Sequence, residues 1–136
     1  MSDSPDAIRA DIERTRAEFG RDVDALAAIY TDDALLFGGR PGHAVGRAAV
    51  HEYFKSYRGV ILSAKLELVE QNILGLDGGY FLAQGFALFS FGLADGAETR
   101  SRLRSSLLVR TGNEAHIRAH HFSPVPEAPP QIGIFM

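Results

Sequence analysis

Three of the chain's five histidines, His116, His120 and His121, fall in one short stretch near the C-terminus. His116 and His120 are four apart, a spacing that sets two metal ligands on one face of a helix. The stretch follows a turn signal at Thr111-Gly112-Asn113 and alternates in polarity, so it reads as a strand. On a strand, four residues span roughly 13 Å at ~3.3 Å per residue, too far for one ion. No metal site is expected. His120 and His121 are adjacent and should point to opposite faces. Ala115, Ile117, Ala119, His121 and Ser123 share the more apolar parity and are placed inward. His121 is therefore the candidate acid/base: burial depresses an imidazole pKa and keeps it neutral, able to give or take a proton. The plainer reading is a core histidine bonded to backbone or to Tyr30. Both readings stay open.

Arg104 and Ser106 lie on the preceding segment, Glu98–Arg110. Strand parity groups Arg104 with Arg100 and Arg102 on an outer face. Facing inward instead, Arg104 with His121 would make a carboxylate site. A second group is aromatic: Tyr30, Phe37, Phe54, Tyr57, Phe86 and Phe122 either line a pocket or fill a core.

These side chains must be positioned by a single domain. At 136 residues and 14.8 kDa the chain is long enough for one core, and its 46% hydrophobic content is that of an ordinary globule. A net charge of −3 lacks the basic surplus of a phosphate-binding nucleic-acid partner. The absence of cysteine removes disulfides and thiolate metal sites. Met1–Phe19 is charged throughout and has no apolar run of the kind a signal peptide or membrane span needs, so a cytoplasmic protein without a membrane partner is expected.

Ser4-Pro5-Asp6 is a helix start, and Ile8, Ile12 and Phe19 form its apolar stripe. A second helix is predicted from Asp22 to Tyr30. Ala34–Phe37 reads as a short buried strand, and a third helix opens at Gly46 with Val50, Tyr53, Phe54 and Tyr57 in period. After Gly59 the pattern is sheet. Val60–Leu68 alternates, Asp77-Gly78-Gly79 and Asp95-Gly96 turn the chain, and Tyr80–Phe91 is apolar on both parities. Helices followed by a meander give an α+β fold of three N-terminal helices packed on a strongly curved antiparallel sheet. Helices cover one face only, so a homodimer through the sheet is expected to cover the other. The tail, residues 124–136, is irregular, with Pro124, Pro126, Pro129 and Pro130 ahead of an apolar end, Gln131–Met136.

Three motifs carry a family resemblance. Asp24–Ala34 is similar to "D-x-x-x-x-x-x-Y-x-D-D-A", Gly46–Phe54 to "G-x-x-A-I-x-x-x-F", and Arg104–Arg110 with Ile117, His121, Ser123 and Pro126 to "R-x-T-x-V-x-R…W-x-I-x-x-x-H-x-S-x-x-P". Together they resemble the NTF2-like, ketosteroid-isomerase-like cone superfamily. Within it the chain is most similar to the SnoaL-like and DUF4440 group, related to the association domain of calcium/calmodulin-dependent kinase II. Ala115 replaces the usual tryptophan and opens room at the end of the sheet. The resemblance implies a cone with a pocket under the helices that the matching arginine, Arg104, can reach, with a bulge turning it inward.

The general-base aspartate of ketosteroid isomerases is not carried over: its run falls on Phe37, Gly38 and Gly39. Asp32 and Asp33 are better read as turn acids. The expected function is a small-molecule-binding protein for an apolar or carboxylate ligand, with isomerase, cyclase or hydrolase chemistry through His121 left open. Tyr30, Phe37, Phe54, Tyr57, Phe86, Arg104, Ser106 and Ser123 are its candidate ligand contacts, and no cofactor is implied. The alternative is a non-catalytic homo-oligomeric association module.

Overall fold

A computed structural model describes residues 4–112 and 114–127. Helix α1, Pro5–Arg16, begins as its sequence dictates, with Ser4 Oγ accepting from the Ala7 amide at 3.2 Å. Its buried residues are Ile8, Ile12 and Arg16. The chain then reverses through Gly20, whose φ of +86° lies in the left-handed region that favours glycine. Asp22 caps α2, Val23–Ala28, by accepting from the Ala25 amide at 3.0 Å. That helix is shorter than its apolar pattern predicts, because Tyr30 is the first residue of strand β1, Tyr30–Phe37. A two-residue strand β2, Ala44–Val45, precedes α3, Arg47–Lys55. The meander is β3 (Ile61–Leu76), β4 (Tyr80–Leu93), β5 (Glu98–Arg110) and β6 (His116–Pro124).

One sheet holds all six strands, in the order β2-β1-β6-β5-β4-β3. The meander is antiparallel throughout, as expected, but β1 runs parallel to β6, so the sheet is mixed. A parallel neighbour needs a long connection, and α3 with the whole meander supplies it. The sheet bends where β3 carries a bulge between Val69 and Asn72, with Glu70 at φ +51°. Gly85 on the neighbouring strand permits that bend: a Cβ there would lie 2.4 Å from the Glu70 carbonyl oxygen.

The core lies between the helices and the inner face of the sheet. Leu26, Tyr30, Leu36, Val50, Leu107, Val109 and Ile117 are all fully buried. Phe81, Ala83, Ala87 and Phe89 of β4 face the helices, while Leu82, Phe86 and Leu88 are half-buried on the other side. No helix among the described residues is long and apolar enough to cross a membrane. Asn113 of the last turn, and Pro129, Pro130 and Gln131–Met136 of the tail, lie outside the described residues.

Candidate functional site

The site depends on a bulge in β6. Val109 pairs with Ile117 and Leu108 with Ala119, so two steps on β6 oppose one on β5 and Arg118 is the extra residue. Arg118 turns toward β1, where its Nη1 donates to the Asp33 carbonyl at 2.8 Å. Alternation is broken at that point. Ile117 and His120 both face inward, although three residues apart. The single inward parity read from the sequence is therefore corrected: His120 is the buried histidine, 4% exposed, and His121 with Ser123 lies on the outer face.

Beside His120 lies Arg16, the last residue of α1 and only 1% exposed. Its Nη2 donates to the Tyr30 hydroxyl and lies 3.2 Å from His120 Nδ1, which is 3.0 Å from the same hydroxyl. A guanidinium has donors only, so Nδ1 must be an acceptor. His120 is thus neutral with its proton on Nε2, and the Tyr30 hydroxyl accepts from Arg16 while donating a hydrogen bond to Nδ1. Electrostatics agree. Burial, then the charge of Arg16 and the neighbouring His121, hold the His120 pKa well below its ordinary value. Burial raises the Tyr30 phenol, and Arg16 partly offsets that rise.

Arg16 itself is incompletely satisfied. Its guanidinium lies 4.9 Å from the Phe54 ring centroid and 5.7 Å from that of Tyr30. Buried Nε and Nη1 meet no hydrogen-bond partner, and no carboxylate pairs with it among the described residues. It reaches the wall of a cavity of about 140 Å³ between α3 and the inner sheet. The remaining walls are almost wholly apolar and aromatic, including Phe19, Tyr53, Phe54, Tyr57, Phe89 and Phe122. At the rim, the Tyr53 hydroxyl accepts from the Gly39 amide at 2.9 Å, and burial pushes its pKa well up.

Of the candidate contacts, Phe54 and Tyr57 line this cavity, and Tyr30 lies behind it on Arg16. The others are elsewhere. Phe37 is 46% exposed and stacks on His43 with centroids 4.1 Å apart. Phe86 lies on the outer face under the Arg102 guanidinium, 3.8 Å from it. Arg104, Ser106, His121 and Ser123 share with Phe86 an outer groove of about 490 Å³. Arg104 pairs directly with Ser123 and Ser106 with His121 across the ladder, and the four lie together on the outer face. No bulge turns Arg104 inward, and its strand parity is kept. Nor does a general base stand at the ketosteroid-isomerase position, since a Cβ on Gly38 would lie 2.3 Å from the Tyr53 hydroxyl.

Neither Arg16 nor an inward His120 is among the side chains that strand parity and motif mark for the site. Arg16 had a signal: Ile8, Ile12, Arg16 and Phe19 step by four, four and three, so an arginine occupies the apolar stripe. His120 had none, because nothing local marks the bulge at Arg118.

The fold is an NTF2-like, cystatin-like α+β cone, a helix layer on a bent sheet with its cavity between. Solved structures share it. A Xanthomonas campestris protein, provisionally described as a calcium/calmodulin dependent protein kinase II association domain, matches at TM-score 0.79 and 18% identity, over 90% of this chain and 86% of that one. An uncharacterized protein with a cystatin-like fold from Caulobacter vibrioides matches at TM-score 0.69 and 21% identity, over 93% and 92%. A ketosteroid isomerase-like protein from Erwinia carotovora atroseptica gives TM-score 0.69 and 18% identity, over 92% and 99%. At such identities the likeness is one of fold. A family profile described as a protein of unknown function (DUF3618) matches residues 2–30. No curated protein matches the sequence significantly.

Proposed function

We propose that this chain binds a small molecule in the cavity beneath α3, against the buried guanidinium of Arg16. The observation that carries this reading is the pairing of an aromatic cavity with a buried cation whose Nε and Nη1 lack partners. Buried polar groups are normally satisfied, so a buried cation with two partnerless donors calls for a functional explanation. At about 140 Å³ the space is smaller than a drug-sized pocket, so the ligand is small.

Any chemistry there is electrostatic before it is acid/base. Arg16 touches the cavity, whereas Tyr30 and His120 hold Arg16 from behind. A fixed guanidinium in a dry pocket stabilises developing negative charge on an enolate or tetrahedral oxygen. His121, on the outer face, cannot serve this cavity as an acid or base.

The test is a screen of one-ring compounds against the 15N-labelled chain, alongside Leu103→Phe, which fills part of the cavity wall. Shifts at Phe19, Phe54, Phe89 and Phe122 that vanish in Leu103→Phe support the reading. If no compound moves those resonances, it fails.

A second reading, homo-oligomeric association through the sheet, is favoured by β3. It is an edge strand sixteen residues long that leaves Leu62, Ile73, Leu74 and Leu76 exposed, a surface suited to pairing. The two readings are compatible, because Leu62, Ile73, Leu74 and Leu76 do not line the cavity.

A further inference from the structure

We propose that the groove on the outer face of the sheet binds a phosphoryl group, that of a small phosphate monoester or of inorganic phosphate, at Arg104, Ser106, His121 and Ser123. This is a second site, independent of the cavity beneath α3.

Register brings the four side chains together. Arg104 and Ser106 are two residues apart on β5, and across the ladder they oppose Ser123 and His121 of β6. Such residues are about 7 Å apart along a strand and about 5 Å apart between strands. The four therefore stand at the corners of a small rectangle, on one face. Ser105 and Leu107 alternate with them and are buried on the inner side, so Arg104 and Ser106 are directed outward into the groove.

Charge follows from Arg104. Among the described residues its guanidinium makes no ion pair and no side-chain hydrogen bond. Its neighbour on the same face, Arg102, is committed, since it pairs with Glu70 and lies over the Phe86 ring. Glu70 is the acidic residue of the groove wall, and with its charge answered by Arg102 the charge of Arg104 is left over.

Donor count selects the anion. Gln84 donates to Ser106 Oγ at 2.9 Å, which leaves the hydroxyl proton of Ser106 for the groove. The Ser123 hydroxyl and the His121 ring nitrogens have no hydrogen-bond partner among the described residues. A carboxylate is satisfied by the guanidinium fork alone. The terminal oxygens of a phosphoryl group use the two hydroxyls and the imidazole as well. The site takes one such group rather than a phosphodiester chain, because the committed Arg102 separates Arg104 from Arg100 and the chain carries a net charge of −3. At about 490 Å³ the groove also has room for a small organic residue beside Gln84 and Asn72.

The experiment titrates the 15N-labelled full chain with phenyl phosphate, inorganic phosphate and acetate at constant ionic strength. Both phosphates are expected to shift the amides of Arg104, Ser106, His121 and Ser123 and to bind at least about tenfold tighter than acetate. Tighter phenyl phosphate assigns a monoester, and equal affinities assign the free ion. Arg104→Gln should weaken phosphate at least about tenfold. Arg100→Gln removes the same charge from the same strand outside the groove and should change binding less than about twofold. Ser106→Ala combined with Ser123→Ala should weaken phosphate and leave acetate unchanged. Association through the outer face would compete for the groove, so the titrations are repeated on Leu74→Lys, and saturable binding in either background supports the proposal. It is overturned by equal losses in Arg104→Gln and Arg100→Gln, by acetate matching phosphate, or by no saturable shift in either background. Shifts confined to Phe19 and Phe54 overturn it too, and they support the cavity reading instead.

Discussion

Arg16 Nη2 lies 3.2 Å from Nδ1 of His120, across 104 residues of sequence. Tyr30 closes the triangle, its hydroxyl 3.0 Å from the same nitrogen. Each member fixes the state of another: the guanidinium forces the imidazole to be an acceptor, and the phenol relays between them. The arrangement ties the end of α1 to β1 and β6, which are neighbours in the sheet, and leaves Nε and Nη1 of the guanidinium buried without partners.

Replacing Arg16 by methionine separates stability from function. Exchanging a buried, incompletely paired charge for an apolar side chain of similar length is often neutral or stabilising by about 1–4 kcal/mol. Arg16→Met is therefore expected to melt at or above the unaltered chain's temperature while weakening small-molecule binding in the cavity it lines. Arg16→Ala, which leaves a void, should cost about 2–4 kcal/mol. Thermal and urea denaturation read both. A methionine variant much less stable than the parent would mean that the guanidinium is held for structure.

His120 makes stability depend on pH. In the unfolded chain its pKa is about 6.5, and in the fold burial and Arg16 hold it well below. Between those two values the unfolded chain binds a proton that the folded chain refuses, so stability rises with pH. Nothing is lost above about 6.5. Below it the fold weakens by roughly one kcal/mol per pH unit until the folded-state pKa is reached. Urea denaturation between pH 7.5 and 5 should show this slope, and His120→Gln should lessen it. Nitrogen-15 spectra should find Nδ1 unprotonated throughout that range. A protonated Nδ1 at pH 6 would refute the arrangement.

Gly20 joins the helix layer to the sheet. A Cβ there would lie 2.0 Å from the Ile61 carbonyl oxygen, at a φ of +86° that L side chains rarely adopt. Gly20→Ala is expected to cost on the order of 2–5 kcal/mol, from backbone strain together with overpacking. Equilibrium unfolding measures it, and a loss below about 1 kcal/mol would show that the turn re-forms freely.

Association through the sheet is testable without a ligand. If β3 and the outer face bury one another between copies, light scattering at micromolar concentration gives twice the chain mass. Leu74→Lys, on a 58% exposed side chain of the edge strand, then shifts it toward monomer. A monomer throughout sinks the association reading and leaves the cavity untouched.

Much of the architecture was legible locally. The Ser4-Pro5 start, the Asp22 cap, Gly46 before α3 and the glycine turns of the meander are decided by neighbouring residues, and period-2 alternation follows from strand geometry. Phe54 on α3 reached the cavity because a helix face is determined by spacing, and Tyr57 because the turn after α3 continues that face, its amide donating to the Phe54 carbonyl at 3.2 Å. Tertiary structure decided the rest. Parity along β6 holds only while the ladder is regular, and the extra residue at Arg118, paired with Asp33 of a strand far away in sequence, reverses which histidine turns inward. Arg16 could be seen on an apolar stripe, but its partners come from β1 and β6. The sequence therefore determined the layers and two residues of the aromatic wall, Phe54 and Tyr57. Only the packing of distant strands decided which charge stands inside, because burial and bulge register depend on contacts that no local pattern encodes.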